Sequence, residues 1–204
     1  MPIKAVIFDV GGVLRRSETE EGRRKWEARL GLAQGELADI VFDSPLAWAA
    51  TLGQASDAAI WEDVSTRFSL DAEQLRQLKR DFWSGDQTDE ELVRYLGGLR
   101  PHRKTALLSN AWPGARRVFS ERMGLADAVD EIIISAEEGV AKPDPAIYWI
   151  ALRRLGVKPR EAVFVDDVAA NVEAARALGM HGVQFRTREQ TIADVNRILT
   201  GKAI

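Results

Sequence analysis

Four short runs of apolar residues, each followed by polar residues, constrain the fold of this chain most strongly. The runs are nearly continuous rather than alternating, which is typical of parallel strands that are buried on both faces of a sheet. A fifth and weaker run follows near the end of the chain. The five runs cover residues 3–8, 105–108, 131–134, 162–165 and 182–185.

The segments between the later runs have helical spacing. Residues 143–155 begin with proline and are followed by Gly156, which is typical of a helix start and stop. Val168, Val172, Ala175 and Leu178 form one apolar stripe, and Gly179 can end that helix. Strands and helices that alternate in this way predict an α/β fold with a Rossmann-like, doubly wound parallel sheet.

Residues 15–90 show helical patterns and no convincing strand. Four of the six tryptophans fall in this segment, and we expect most of them to form the core of a small helical module. They are Trp26, Trp48, Trp61 and Trp83. The predicted organisation is therefore an α/β core of residues 1–14 and 91–204, with residues 15–90 inserted as a helical cap.

Composition narrows the possible functions. The net charge of −3 argues against an electrostatic nucleic-acid binder, which usually carries excess positive charge. The chain has no cysteine, which excludes disulfides, thiolate metal sites and a cysteine nucleophile. The apolar run at the N-terminus is too short for a signal peptide or membrane span, so we expect a cytoplasmic protein without a membrane partner. Oligomeric state, monomer or homodimer, stays open.

Polar residues follow each of the four stronger runs, where the carboxyl ends of parallel strands would meet. Three carboxylates at one rim would repel each other unless a cation lay between them, and hard oxygen ligands suit Mg²⁺. A hydroxyl, an ammonium group and the N–H groups of a glycine turn suit a phosphate dianion. The pattern therefore predicts phosphoryl transfer. Its residues are Asp9, Ser109, Asn110, Lys142, Asp166 and Asp167.

The order and spacing of these residues resemble the four sequence motifs of the haloacid dehalogenase superfamily. The helical insertion after the first motif is similar to the cap of the branch that contains sugar-phosphate phosphatases and the phosphatase domain of epoxide hydrolases. Residues 108–112 and 164–167 look especially like that branch. The resemblance implies a magnesium-dependent phosphatase that acts on a small phosphorylated metabolite.

The resemblance also implies a role for each residue. Asp9 would attack phosphorus and form an aspartyl-phosphate. Ser109 and the Asn110 backbone would bind the phosphoryl oxygens, and Lys142 would neutralise charge. Mg²⁺ would be held by Asp9, by the main-chain carbonyl of Gly11 and by Asp166 and Asp167, of which either could be the inner ligand. Asn171 could orient the site, and Trp112 either faces the substrate or is a structural loop aromatic.

One position departs from the family pattern. Most phosphatases of this superfamily carry a second aspartate two residues after the nucleophile, as the general acid, and this chain has Gly11 there. Such an acid typically contributes about 10²–10⁴-fold in rate. The enzyme could favour good leaving groups, such as acyl, aryl or anomeric sugar phosphates. A water or a cap residue (Glu18, Glu20 or Glu21) could replace the acid, or the chain could be a weak phosphate-binding module.

Two other chemistries remain open. Haloacid dehalogenases of the superfamily also lack the second aspartate, although they need no metal and lack the paired aspartates of the fourth motif. Phosphonate hydrolysis would need Lys25 or Lys79 to form a Schiff base, and nothing in the sequence marks either lysine as desolvated. The two histidines, His102 and His181, have the pattern of ordinary loop residues.

Overall fold

A computed structural model describes residues 2–201, and in this part of the chain seven strands form. Five of them make a parallel sheet in the order β5-β4-β1-β6-β7, and β2 pairs with β3 in a separate antiparallel ribbon. The parallel α/β sheet predicted from the apolar runs is confirmed, with bounds that shift by one or two residues. The strands are β1 Ala5–Phe8, β2 Arg15–Ser17, β3 Asp86–Thr88, β4 Lys104–Ser109, β5 Glu131–Ile134, β6 Ala162–Asp166 and β7 His181–Gln184.

Five helices lie between β2 and β3. They enclose an apolar cluster of their own, in which Trp26, Leu37 and Leu78 are fully buried. Side chains at helix starts accept main-chain hydrogen bonds, as at Ser44 and Ser56, which fixes where those helices begin. The helices are α1 Glu21–Leu30, α2 Glu36–Phe42, α3 Pro45–Thr51, α4 Asp57–Phe68 and α5 Ala72–Phe82. We refer to this helical part as the cap.

Six α-helices accompany the sheet in the rest of the described chain, together with a π-helix, Val118–Arg122, and two 3₁₀ helices, Leu125–Ala128 and Pro159–Glu161. Successive residues of a strand point to opposite sides, so the apolar strands present side chains on both faces, and the helices cover both. Val6 and Phe8 belong to one apolar cluster, and Ala5 and Ile7 to the other. The α-helices are α6 Glu90–Leu99, α7 Ala115–Arg117, α8 Ser135–Glu138, α9 Pro145–Leu155, α10 Ala169–Ala177 and α11 Arg188–Leu199.

The ribbon of β2 and β3 corrects the expectation that residues 15–90 contain no strand. Arg15 pairs with Thr88 and Ser17 with Asp86, so the two ends of the helical segment are joined. These strands are polar and three residues long, so they lack the apolar alternation that marks a strand in sequence. Their pairing partners lie about seventy residues apart, a distance at which local patterns carry no information.

The cap tryptophans follow the expectation, with one exception. Trp26 and Trp61 are buried in the cap core and Trp83 is half-buried, but Trp48 is 53% exposed. The cap also touches the core away from the ribbon. A Cβ atom on Gly53 would lie 2.1 Å from the Ala136 carbonyl oxygen, so the two backbones meet there at very short range. In residues 2–201 we find no helix with the length and apolarity needed to cross a bilayer.

Candidate active site

Asp9 lies at the carboxyl end of the central strand β1, where it is 7% exposed. Its N–H donates to the Val165 carbonyl at 2.8 Å, and its Oδ1 accepts from the Val10 N–H at 2.6 Å. Burial raises the pKa of Asp9 to about 7, although the ammonium group of Lys142 acts in the opposite direction. The carboxyl group is therefore held in place from two sides and depends on nearby positive charge to remain ionised.

Lys142 supplies that charge from a buried position. Its Nζ lies 2.9 Å from Asp9 Oδ2 and 2.7 Å from Asp166 Oδ2, and its side chain is only 1% exposed. The backbone of Lys142 is fixed by the side chain of Asn110, which accepts from the Lys142 N–H and donates to its carbonyl, both at 2.8 Å. Asn110 thus connects the end of β4 to the loop that carries the lysine.

Asp166 is fully buried at the end of β6, beside Asp9. Asn171 Nδ2 donates to both of its oxygens at 3.1 Å, and the Val168 N–H donates to Oδ1 at 2.8 Å. The Asn171 carbonyl in turn accepts from the Tyr148 hydroxyl at 2.8 Å. This network fixes the orientation of the Asp166 carboxylate, and Asn171 takes the orienting position that the sequence suggested for it.

Asp167 is more exposed than Asp166 and lies against the glycine turn after Asp9. A Cβ atom on Gly12 would be 2.1 Å from Asp167 Oδ2, so only glycine leaves room for this carboxylate. Burial, and then the charge of Asp166, raise the pKa of Asp167 above its usual value. Carboxylate oxygens of Asp9, Asp166 and Asp167 all lie within 4.8 Å of one another. Three hard oxygen donors at this spacing fit a Mg²⁺ ion, which also retains waters.

Ser109 is the last residue of β4 and is buried at the same rim. Phe8 pairs with Leu107 in the neighbouring strand, so Ser109 lies one residue beyond the position opposite Asp9. The loop after it is held by Ser135, whose hydroxyl oxygen accepts from the Ala111 N–H at 3.0 Å. The structure therefore brings Asp9, Ser109, Lys142 and the two later aspartates to one edge of the sheet.

Gly11 is exposed and has open space around it, since a Cβ atom there would have no neighbour within 4 Å. Its backbone forms a bridge with Arg15, a residue that sequence reasoning missed. The Arg15 guanidinium lies 5.0 Å from the centre of the Trp83 ring and forms an ion pair with Asp86. No sequence signal distinguishes Arg15, because its partners lie in a distant part of the chain.

The other charged candidates lie on the surface of the cap or in ion pairs there. Glu18, Glu20 and Glu21 are exposed. Lys25 pairs with Asp81 and is 59% exposed, and Lys79 lies over the Trp61 ring. Neither lysine is desolvated in the manner that Schiff-base chemistry requires. His102 lies in an exposed turn, whereas His181 begins β7 rather than lying in a loop.

Trp112 lies three residues beyond Ser109 and is half-buried. It contacts the cap rather than the core: its ring centre is 5.8 Å from that of Phe42 and 6.4 Å from that of Trp83. The loop that follows also reaches the cap, since the Gly114 N–H donates to Asp57 Oδ1 at 3.2 Å. Trp112 therefore lies where the cap and the core meet.

Comparison with known proteins gives relatives of several kinds. D-ribitol-5-phosphate phosphatase of Bacteroides thetaiotaomicron is 25% identical to this chain, over 89% of this chain and 91% of the phosphatase. Phosphatase MT3486 of Mycobacterium tuberculosis is 28% identical over 97% of this chain and 96% of that protein. (S)-2-haloacid dehalogenase 1 of a Pseudomonas species is 29% identical over 90% of this chain and 85% of that protein. Mouse acyl-CoA dehydrogenase family member 10 is 36% identical over 34% of this chain, which spans only 6% of that protein.

Solved structures share the whole fold. A predicted HAD-like hydrolase from Porphyromonas gingivalis superposes with a TM-score of 0.78, with 26% identity over 98% of both chains. A HAD-family enzyme from Bacteroides thetaiotaomicron, in complex with magnesium and inorganic phosphate, superposes with a TM-score of 0.76. It is 21% identical over 91% of this chain and 96% of that chain. The family model for haloacid dehalogenase-like hydrolases matches residues 3–179. This chain belongs to the family of haloacid dehalogenase-like hydrolases.

Proposed function

We propose that this protein is a magnesium-dependent phosphatase that hydrolyses small phosphorylated metabolites through an aspartyl-phosphate on Asp9. The observation that carries the proposal is the position of Lys142 Nζ, which bridges Asp9 and Asp166 inside a group of three carboxylates. Full-length relatives that are phosphatases support the same reading.

The charges at the rim support a cation there. With all three carboxylates ionised and one ammonium group beside them, the rim would carry a net charge of −2 in a largely buried place, where unbalanced charge is costly. A divalent cation would balance it. The residues that would hold Mg²⁺ are Asp9, Asp166 and Asp167, with the Gly11 carbonyl as a further candidate. When bound, the ion would neutralise charge on the phosphoryl oxygens.

The side chains divide the remaining work. Ser109 and Lys142 would bind the phosphoryl group, and Asp9 would attack phosphorus in line with the leaving group. The new Asp9–phosphorus bond forms as the bond to the leaving oxygen breaks, and that oxygen keeps the electron pair. Water then attacks phosphorus, which releases inorganic phosphate and restores the Asp9 carboxylate. Asn110 and Asn171 would act by holding Lys142 and Asp166 in position.

The leaving group would obtain no proton from position 11. With glycine there, substrates whose leaving groups are stable as anions would react best, and alkyl phosphates would react slowly. The exposed glutamates at the start of α1 offer no buried acid in its place. We infer that water protonates the departing group where a proton is needed.

Halide displacement is the second candidate, because a full-length relative is a haloacid dehalogenase and because Gly11 removes the general acid. Asp167 argues against it. A nucleophile that attacks carbon gains nothing from two further carboxylates close by, since they add repulsion without a cation to hold. Release of halide from a 2-haloacid in the presence of chelator would favour this alternative.

Hydrolysis of a phosphate panel tests the proposal. We expect the wild-type protein to release phosphate from acetyl phosphate and aryl phosphates with Mg²⁺, and to lose this activity with chelator. Asp9→Asn should abolish turnover because the amide is not a nucleophile. Asp127→Asn, a change at an exposed aspartate remote from the rim, is the matched control and should leave turnover unchanged. Phosphate binding without turnover of any substrate would indicate a binding module instead.

A further inference from the structure

Three aromatic side chains from separate segments meet where the cap faces the core. We call Phe42, Trp83 and Trp112 the aromatic wall. Their ring centres are 5.6, 5.8 and 6.4 Å apart, so each ring contacts the other two. Phe42 is 41% exposed and both tryptophans are half-buried, whereas Phe82 and Trp61 behind them are buried. The wall is therefore a partly exposed aromatic layer supported by a buried one.

The wall is connected at two points to the rim that carries Asp9. Trp112 follows Ser109 by three residues, so the chain can separate their Cα atoms by at most about 11 Å. On the other side, the Arg15 guanidinium lies 5.0 Å from the Trp83 ring, and Arg15 bridges to Gly11, two residues after Asp9. The space beside Gly11 is open. A leaving group that points away from the rim would enter this space.

The charges near the wall are engaged with each other. Arg15 and Arg23 both pair with Asp86, and Arg23 lies over the Phe82 ring at 4.5 Å. Their guanidinium groups therefore reinforce the cap rather than offer a site for a second phosphate or a carboxylate. Arg15 lies over the Trp83 ring and Arg23 over the Phe42 ring, so the wall presents the ring surface that they leave uncovered. Such surface favours another aromatic ring by offset or edge-on contact.

The absence of a general acid at position 11 favours substrates with an aromatic leaving group, by an independent argument. A phenol has a pKa near 10, like tyrosine, and can leave as an anion, whereas an alkoxide is far more basic and needs a proton. We propose that the aromatic wall binds the ring of an aryl phosphate, so that phenolic phosphate monoesters are the preferred substrates of this site. The inference rests on the proposed phosphatase function.

Binding of phosphonates tests the wall without turnover. By calorimetry with Mg²⁺, we expect phenylphosphonate to bind roughly 3- to 10-fold more tightly than methylphosphonate, the range that one aromatic contact provides. Phe42→Ala and Trp112→Leu should remove most of this difference. Phe42 is exposed, so its change should leave the protein folded. Trp149→Ala is the matched control, because Trp149 is exposed on α9, opposite that helix's buried face, and its change should preserve the preference.

Kinetics separate the inference from the function on which it rests. Trp112→Leu should raise KM for phenyl phosphate several-fold and leave KM for acetyl phosphate unchanged, because acetyl phosphate has a good leaving group but no ring. Equal affinity for the two phosphonates, or a preference that survives both wall variants, would overturn the inference. Tight phenylphosphonate binding without hydrolysis of any phosphate would instead retain the wall and contradict the phosphatase.

Discussion

Two adjacent glycines that closely follow Asp9 have opposite surroundings. Gly11 faces open space, whereas Gly12 has a φ of +74° and lies against the Asp167 carboxylate. A side chain is therefore tolerated at the first position and excluded at the second. This difference provides a direct test of the missing general acid.

Gly11→Asp should increase kcat/KM for alkyl phosphates by about 10- to 100-fold, part of the range that a general acid contributes. Acetyl phosphate should gain little, because its leaving group needs no proton. Steady-state kinetics on both substrates gives the comparison. Gly12→Ala is the control, and its clash with Asp167 should reduce activity on both. Equal gains on the two substrates with Gly11→Asp would contradict the role assigned to this position.

Asn171 offers a second test, because it donates to both oxygens of Asp166. Asn171→Ala should raise the Mg²⁺ concentration needed for half-maximal activity by about 10- to 100-fold, the usual effect of losing a partner behind a metal ligand. A Mg²⁺ titration of initial rates measures it, and saturating Mg²⁺ should restore part of the rate. An unchanged Mg²⁺ requirement would show that Asp166 needs no orientation.

The proposed site residues could be predicted from sequence because most of them lie at or just after the end of a recognisable strand; Lys142 lies further on, beyond α8. Their roles stay predictions until tested. What sequence could not give is how they are held: the two hydrogen bonds between Asn110 and Lys142 span 32 positions, and Arg15 meets Trp83 through the folded cap. Such contacts follow from tertiary packing and leave no local pattern.

At the scale of elements, Asp89 connects the cap to the core. It caps the start of α6 directly after the ribbon, and its side chain is 3% exposed. Arg16 of β2 binds it at 2.7 Å and Arg188 of α11 at 3.3 Å, while Glu91 pairs with Arg188. Burial alone would raise the pKa of Asp89, but the Arg16 and Leu92 hydrogen bonds and the charges of both arginines hold it below its usual value.

A lowered pKa in the folded state means that Asp89 stabilises the protein above the unfolded pKa, near 3.9, and that this contribution is lost as pH falls further. Asp89→Asn keeps the helix cap but removes the charge, and should lower the free energy of unfolding by about 1–3 kcal/mol at neutral pH. Urea denaturation at several pH values measures this. The difference from wild type should shrink below about pH 4, and a difference independent of pH would contradict the ion-pair account.

The elements themselves differ in how far sequence predicts them. Strands of the main sheet are buried on both faces, and continuous apolar runs reveal them. The ribbon strands are polar and are stabilised by ion pairs such as that between Arg15 and Asp86, so hydrophobic patterns miss them. Trp48 shows the converse, because a large apolar residue on a helix does not have to face the core.

In the whole molecule, the cap meets the core at several places. The ribbon joins them at one side, Gly53 contacts the Ala136 backbone, and Asp57 accepts from the Gly114 N–H. The rim with Asp9 lies on the core side of this boundary and the aromatic wall along it. The α/β architecture could be predicted from the alternation of strands and helices, but the contact surface of the cap could not, because it depends on side chains from both parts.

Transfer of phosphate to Asp9 is the central claim, and trapping it is the most direct test. Water activation should be slow without an acid or base at position 11, so the aspartyl-phosphate should accumulate when the leaving group is good. Acid quench during turnover of acetyl phosphate, borohydride reduction and peptide mapping would then show homoserine at position 9. Continued turnover with unmodified Asp9 in every quenched sample, or with the reduced residue at another position, would contradict the account.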